Sequence, residues 1–265
     1  MLMAQPDIKS LARHLNGGQP PRVWSLLVTI FGELAQDQNA EISGQTLRDL
    51  LDVIGVRPEA MRVALHRLRN EGWIDSRKTG RRSDYFLTPL GLTESMAASP
   101  LIYSSTQAAD QAWLVLTPPG EPRSKGVAVC AEGAISNTPP ADELAFELNP
   151  DTNLPGWIST KICEAPLIAQ TQQLAQTIAD LNAQHDTLRS MSTTEQTALR
   201  ILLVHAWRRI ILRAPQLPDF VFPETWEGPA CRAGLKNLLE ILPKKDRVLM
   251  PNSESALGSV AEQRS

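Results

Sequence analysis

Only three cysteines occur in 265 residues, and Cys130, Cys163 and Cys231 are odd in number and far apart. None has another Cys or a His at metal-ligand spacing, so a zinc site and a disulfide framework are both excluded, and three buried free thiols are expected. Long apolar runs are also missing: no stretch approaches the roughly 18 residues that a membrane span requires. Residues 1–18 carry charges where a signal peptide needs its apolar core, so a cytoplasmic location is expected. Catalytic signatures are absent as well. There is no Gly-rich phosphate loop, no nucleophile elbow and no metal-binding His pair, and the four histidines (His14, His66, His185, His205) are scattered. No enzyme, cofactor or metal is expected.

What is present is a concentration of positive charge. The chain as a whole carries a net charge of -3, with 42% hydrophobic and 21% charged residues, the composition of a globular protein. Between Arg57 and Arg82, however, eight basic residues stand against three acidic ones, whereas the preceding 56 residues hold four bases and six acids. Nucleic-acid binding depends on where charge lies rather than on its sum.

That window sits inside a recognisable order of elements. A short arm with Leu2, Ile8, Leu11 and Leu15 ends at Gly17, Gly18, Gln19, Pro20 and Pro21, which break any helix. Trp24, Leu27, Val28, Phe31 and Leu34 then recur at helical spacing. Ser43 is placed to cap a second helix carrying Leu47, Leu50 and Leu51, with Gly55 where a left-handed C-terminal residue belongs. Pro58 fits the first turn of a third helix with Met61, Ala64, Leu65 and Leu68 on one face, stopping at Gly72. Trp73 and Ile74, a basic turn from Arg77 to Arg82, and Tyr85, Phe86 and Leu87 then read as a hairpin. Helix, helix, helix, hairpin is the order of a winged helix-turn-helix.

At about 100° per residue, the third helix places Glu59, Val63, His66 and Asn70 opposite its apolar face, with Arg62 and Arg67 on the flanks. Such a helix can lie in a major groove with Glu59, Arg62, Val63 and His66 near base edges and Arg67 at phosphate. His66 could equally be a pH-sensitive surface group or an inert exposed residue. Arg81 and Arg82 would project from the hairpin turn toward the neighbouring DNA backbone or minor groove, adding salt-dependent affinity. The candidate DNA-contacting set is Ser43, Arg57, Glu59, Arg62, Val63, His66, Arg67, Lys78, Arg81 and Arg82. The structural alternative is a winged helix used for protein contacts.

Further along, residues 93–103 are small and polar, as in a linker. Trp113–Leu116, Val127–Cys130 and Leu144–Leu148 read as short strands between Pro- and Gly-rich loops. Leu167, Thr171, Leu174, Ile178, Leu181, His185 and Leu188 form a coiled-coil-like seam, which either self-associates or packs on its own domain. Helices follow over 194–212 and 229–242, and the tail from Pro251 reads as disordered.

The stretch Ser43–Gly91, SGQTLRDLLDVIGVRPEAMRVALHRLRNEGWIDSRKTGRRSDYFLTPLG, resembles the DNA-binding domain of the PaaX family, repressors of phenylacetate-degradation operons. Val204–Ala230, VHAWRRIILRAPQLPDFVFPETWEGPA, is similar to that family's second signature, a helix followed by a Pro-rich loop. The resemblance implies a homodimeric repressor, bound to double-stranded operator DNA and released by an aryl-CoA thioester such as phenylacetyl-CoA. It places the family's basic turn on Gly80, Arg81 and Arg82, and its loop on Pro215, Gln216, Leu217 and Pro218. Ala214 stands where Asp is common, and Asp84 where an aromatic is common. The family's middle domain is ferredoxin-like, but Thr117–Gly126 is too short and Pro-rich for the helix after its first strand.

The expected fold class is therefore α+β. It comprises an arm (1–20), a winged helix-turn-helix (21–92), a linker (93–110), a small α/β, degenerate ferredoxin-like middle domain (111–165), a helical C-terminal effector and dimerisation domain (166–250) and a disordered tail (251–265). A CoA ligand carries several phosphates, so clustered Arg208, Arg209 and Arg213 beside Trp207 are the candidate effector residues. The alternative there is that Trp207 packs in the core while the arginines bond carboxylates or the Pro-rich loop. A regulator on the same scaffold that senses a different small molecule or a protein partner is the competing function.

Overall fold

The computed structural model describes residues 6–37, 40–104, 111–121, 126–242 and 244. Leu2, residues 105–110 of the expected linker and the expected disordered tail lie outside them. The chain is α+β, with helices and two antiparallel sheets, and divides into two compact units.

The first unit comprises Pro6–Ala97 and Met191–Ile201, with Leu242. Its helices are α1 (Ile8–His14), α2 (Val23–Leu34), α3 (Gly44–Ile54) and α4 (Pro58–Asn70). The local reasons are those the sequence suggests. Ser43 Oγ accepts from the Thr46 amide at 3.0 Å and so caps α3. Gly55 follows α3 at φ +89°, a left-handed conformation that a side chain would strain. Pro58 opens α4 where no amide is needed. Met61, Ala64, Leu65 and Leu68 are all buried, and α4 packs on α2, whose Leu27, Ile30 and Phe31 are buried in turn.

Strands β2 (Ile74–Thr79) and β3 (Arg82–Leu87) form the hairpin. A two-residue strand, β1 (Ile42–Ser43), pairs with β3 on its other edge and gives the order β1-β3-β2. Its register sets Ile42 against Tyr85 and Ser43 against Asp84. The order of three helices and a hairpin is the one expected from sequence; β1 is an addition.

One helix replaces an expected irregular segment. Residues 93–103, read as linker, belong to α5 (Pro89–Tyr103). Thr88 Oγ1 accepts from the Gly91 amide at 3.2 Å and donates to the Gly72 carbonyl at 2.5 Å, so the helix start is anchored to the hairpin's base.

Glu33 of α2 is buried, and Arg200 reaches it from α9 (Thr193–Ile211), with Nε to Oε2 at 2.5 Å. Arg200 also donates to the Leu242 carbonyl at 2.6 Å. A buried charge is tolerated when it is paired and further hydrogen-bonded in this way.

The second unit comprises Ala98–Ser190 and Leu202–Ile241. Strands β4 (Ala112–Leu116), β5 (Val127–Ala128), β6 (Gly133–Ser136) and β7 (Leu144–Leu148) make an antiparallel sheet of order β5-β6-β4-β7. Of the expected strand 127–130, only Val127–Ala128 is extended, and β6 is a strand that the sequence pattern does not mark. Among the described residues no helix separates these strands, so the helix that a ferredoxin-like sheet has after its first strand is not seen.

Helices α6 (Gly156–Ile162), α7 (Ala165–Asn182), α8 (His185–Ser190) and α10 (Gly228–Ile241) follow the sheet, with the second half of α9. The seam Leu167, Thr171, Leu174, Ile178 and Leu181 is buried, and α7 packs on α10. Asn182 donates to the Gly234 carbonyl at 3.1 Å and the Cys231 thiol to that of Thr171 at 3.4 Å. Of the two readings of that seam, packing within the chain is the one observed. The helix breaks before His185, which is exposed. All three cysteines are free; Cys163 and Cys231 are buried, but Cys130 is exposed, contrary to expectation.

Replacing Glu33 by Gln leaves Arg200 as an uncompensated buried charge. A loss of about 3–5 kcal/mol of stability is expected in urea unfolding. The double change to Met at both positions is expected to recover most of it.

Candidate nucleic-acid interface

Helix α4 buries one face, so its opposite face, with Glu59, Val63, His66 and Asn70, stands in water. Glu59 and Arg62 pair loosely at 3.8 Å, and the His66 ring lies 3.3 Å from the Asn70 amide. Val63 is 71% exposed, a large apolar side chain in the middle of a polar face. Arg57 sits at the N-cap position of α4, exposed and without a capping bond.

Arg67, expected to meet phosphate, is also bonded within the unit. Its Nε donates to Glu71 at 2.7 Å, its guanidinium lies 5.1 Å from the Trp24 ring centroid, and Trp24 Nε1 donates to the same carboxylate at 2.8 Å. The Arg67 hydrogen bond, with that of Trp24, holds the Glu71 carboxyl below its ordinary pKa. This triangle fastens the end of α4 to the start of α2. Sequence reading missed it because Trp24 and Glu71 are 47 residues apart.

The hairpin is built from two six-residue strands around the loop Gly80–Arg81. Gly80 takes φ +62°, as the first residue of such a two-residue loop often must. The basic residues are therefore spread differently from the expected turn: Arg77 and Lys78 lie in β2, Arg82 opens β3 opposite Thr79, and Arg81 alone occupies the tip with Gly80. Arg77 is engaged, bonding Glu41 at 2.8 Å and lying 5.8 Å from the Phe86 ring. Arg82 meets Asp84 only at 4.0 Å. Among the described residues Lys78 and Arg81 have no ion-pair partner and are exposed. Loose, exposed ion pairs contribute between nothing and about 1 kcal/mol, so Arg62 and Arg82 can exchange their carboxylates for phosphate at little cost.

The structure thus brings Arg57, Glu59, Arg62, Val63 and His66 together on α4, and Lys78, Arg81 and Arg82 on the hairpin. Ser43 caps α3, and Arg67 bonds Glu71 through its Nε.

Two family models match the chain: that of a PaaX-like protein over residues 22–91, and that of the PaaX-like protein C-terminal domain over residues 165–249. The chain belongs to the PaaX family. This member is 25% identical to the transcriptional repressor PaaX of Escherichia coli (strain K12), an alignment covering 96% of this chain and 91% of the relative. It also resembles a solved structure, the uncharacterized protein Rv0674 from Mycobacterium tuberculosis, at 12% identity and a TM-score of 0.46, over 83% of this chain and 96% of that one.

In this PaaX-family chain the second signature is internally bonded. Trp207 is fully buried and its Nε1 donates to the Ile102 carbonyl at 3.0 Å, so of the two readings it takes the core one and offers no ligand surface. Arg232 lies 5.9 Å from its ring and pairs with Asp219. Asp219 also accepts from Trp226 Nε1 at 3.0 Å, and Trp226 stacks on Phe222 at 4.5 Å. Arg208 and Arg209 are half-buried, and Arg213 is exposed beyond the end of α9. Burial lowers the pKa of Arg208. Among the described residues no group of three or more His, Cys, Asp and Glu side chains could hold a metal ion.

His205 is buried beside these arginines. Burial first, then Arg209 and Arg208, bring its pKa down from 6.5 to about 3. The folded chain keeps the ring neutral while the unfolded chain protonates it below about 6.5, so stability falls as pH drops through that value toward 3. The slope approaches about 1.4 kcal/mol per pH unit. In urea unfolding between pH 6.5 and 5, His205→Gln is expected to flatten this dependence; an unchanged slope would count against it.

Proposed function

We propose that the chain is a DNA-binding transcription repressor whose winged helix-turn-helix reads an operator with α4 and grips its backbone with the wing. The observation that carries this reading is the exposed polar face of α4 in the same unit as Lys78, Arg81 and Arg82, in a chain of the PaaX family. It is a regulator, not an enzyme.

The finer reading follows the resemblance: a homodimer in the cytoplasm that leaves its operator when an aryl-CoA thioester binds. Arg208, Arg209 and Arg213 remain candidates for the phosphates of such a ligand, without Trp207. A PaaX-type regulator of aromatic catabolism would respond to phenylacetyl-CoA in this way.

Changing Arg81 and Arg82 together to Ala is expected to weaken binding to all duplexes alike. The slope of log affinity against log salt should fall by about 2, one counterion per lost phosphate contact. Fluorescence anisotropy across a salt series reads both, and an unchanged slope contradicts the wing's role.

Adding phenylacetyl-CoA to the protein–operator complex is expected to release the duplex, whereas free CoA should not. Complexes that persist at saturating thioester would remove this effector and leave the DNA-binding reading standing.

A further inference from the structure

Val63 lies at the centre of the outward face of α4 and is 71% exposed. Single exposed apolar residues are ordinary on protein surfaces. What distinguishes Val63 is its surroundings. The other outward positions of α4 carry Glu59, Arg62, His66, Arg67, Arg69 and Asn70. Each has a polar partner in the structure: Glu59 with Arg62, His66 with Asn70, Arg67 with Glu71 and Arg69 with Asp75. Those side chains already have a polar neighbour within the chain. Val63 gives up nothing but water.

Val63 is also stiff. A β-branched side chain in a helix keeps one χ1 rotamer almost exclusively, so its two methyl groups point in a direction fixed by the backbone. The backbone is itself fixed, because Met61, Ala64, Leu65 and Leu68 bury the other face. A rigid apolar knob on a polar helix complements an apolar feature on a polar surface. In the major groove that feature is the thymine 5-methyl group; the other base-edge groups there are hydrogen-bond donors and acceptors.

We propose that Val63 is a specificity-determining residue that selects a thymine at one position of the recognised sequence by packing on its 5-methyl group. The proposal rests on the DNA-binding reading above and adds which base one residue demands, and through which atoms. The contact removes the methyl groups of both partners from water, and burial of one such group corresponds to about a fourfold change in affinity.

The test uses the full chain and a duplex selected by it from a randomised pool. Each thymine of that duplex is replaced in turn by deoxyuridine, which keeps the pairing edge and O4 but lacks the methyl group. With the wild-type chain, one replacement per binding site is expected to raise Kd about fourfold. In Val63→Ala, which shortens an exposed side chain and should leave the thermal melt unchanged, the same replacement is expected to change Kd by less than about twofold. Equal deoxyuridine penalties in the two proteins, or no sensitive thymine at all, would overturn the assignment while salt-dependent binding still upheld the DNA-binding reading. Failure to select any bound sequence would overturn both.

Discussion

Met61, Ala64, Leu65 and Leu68 are taken out of water where α4 packs on α2, and that one burial orients everything else on α4. Each such side chain contributes about 1.5–3 kcal/mol of burial free energy, and Ala64 somewhat less. A helix is rigid in rotation about its axis once one stripe is fixed. Glu59, Val63 and His66 therefore face water because they lie opposite the stripe. The Arg67–Glu71–Trp24 triangle adds a polar fastening at the far end of the same helix.

The hairpin depends on a second constraint, the pairing of β3 with strands on both its edges. Ile42 and Ile74 are buried beneath that sheet, while the other face carries Arg77 close to Glu41 and Phe86. Charge is thus arranged in two classes. Arg67 and Arg77 are closely ion-paired at 2.7 and 2.8 Å and hold the unit together. Arg62, Lys78, Arg81 and Arg82 are loosely held or lack an ion pair among the described residues, and these can meet an anionic polymer. A count of basic residues by itself does not separate the classes.

Most of the first unit was legible in the sequence because its signals are local. Ser43, Gly55 and Pro58 punctuate α3 and α4 within a few residues of the turns they make, and the apolar spacing of α4 names its buried face. What escaped depends on distant partners. Strand β1 has two residues and exists only because β3 lies beside it. Arg67 finds Trp24 from across the unit. Helix α5 spreads its apolar residues around its circumference, so no stripe marks it. Strand β6 is made of small residues, Gly133–Ser136, that carry little strand pattern. For Trp207 the sequence left core and ligand surface both open, because the partner of its indole N–H, the Ile102 carbonyl, is 105 residues away.

The central claim is that the outward face of α4 lies against the bases. Placing the photo-reactive residue p-benzoylphenylalanine at position 66 and irradiating the protein with its selected duplex tests that contact directly. The account predicts a covalent adduct to a base from position 66, and none when the same residue replaces Thr160, exposed on α6 in the second unit. An adduct from position 160 with none from position 66 would contradict it.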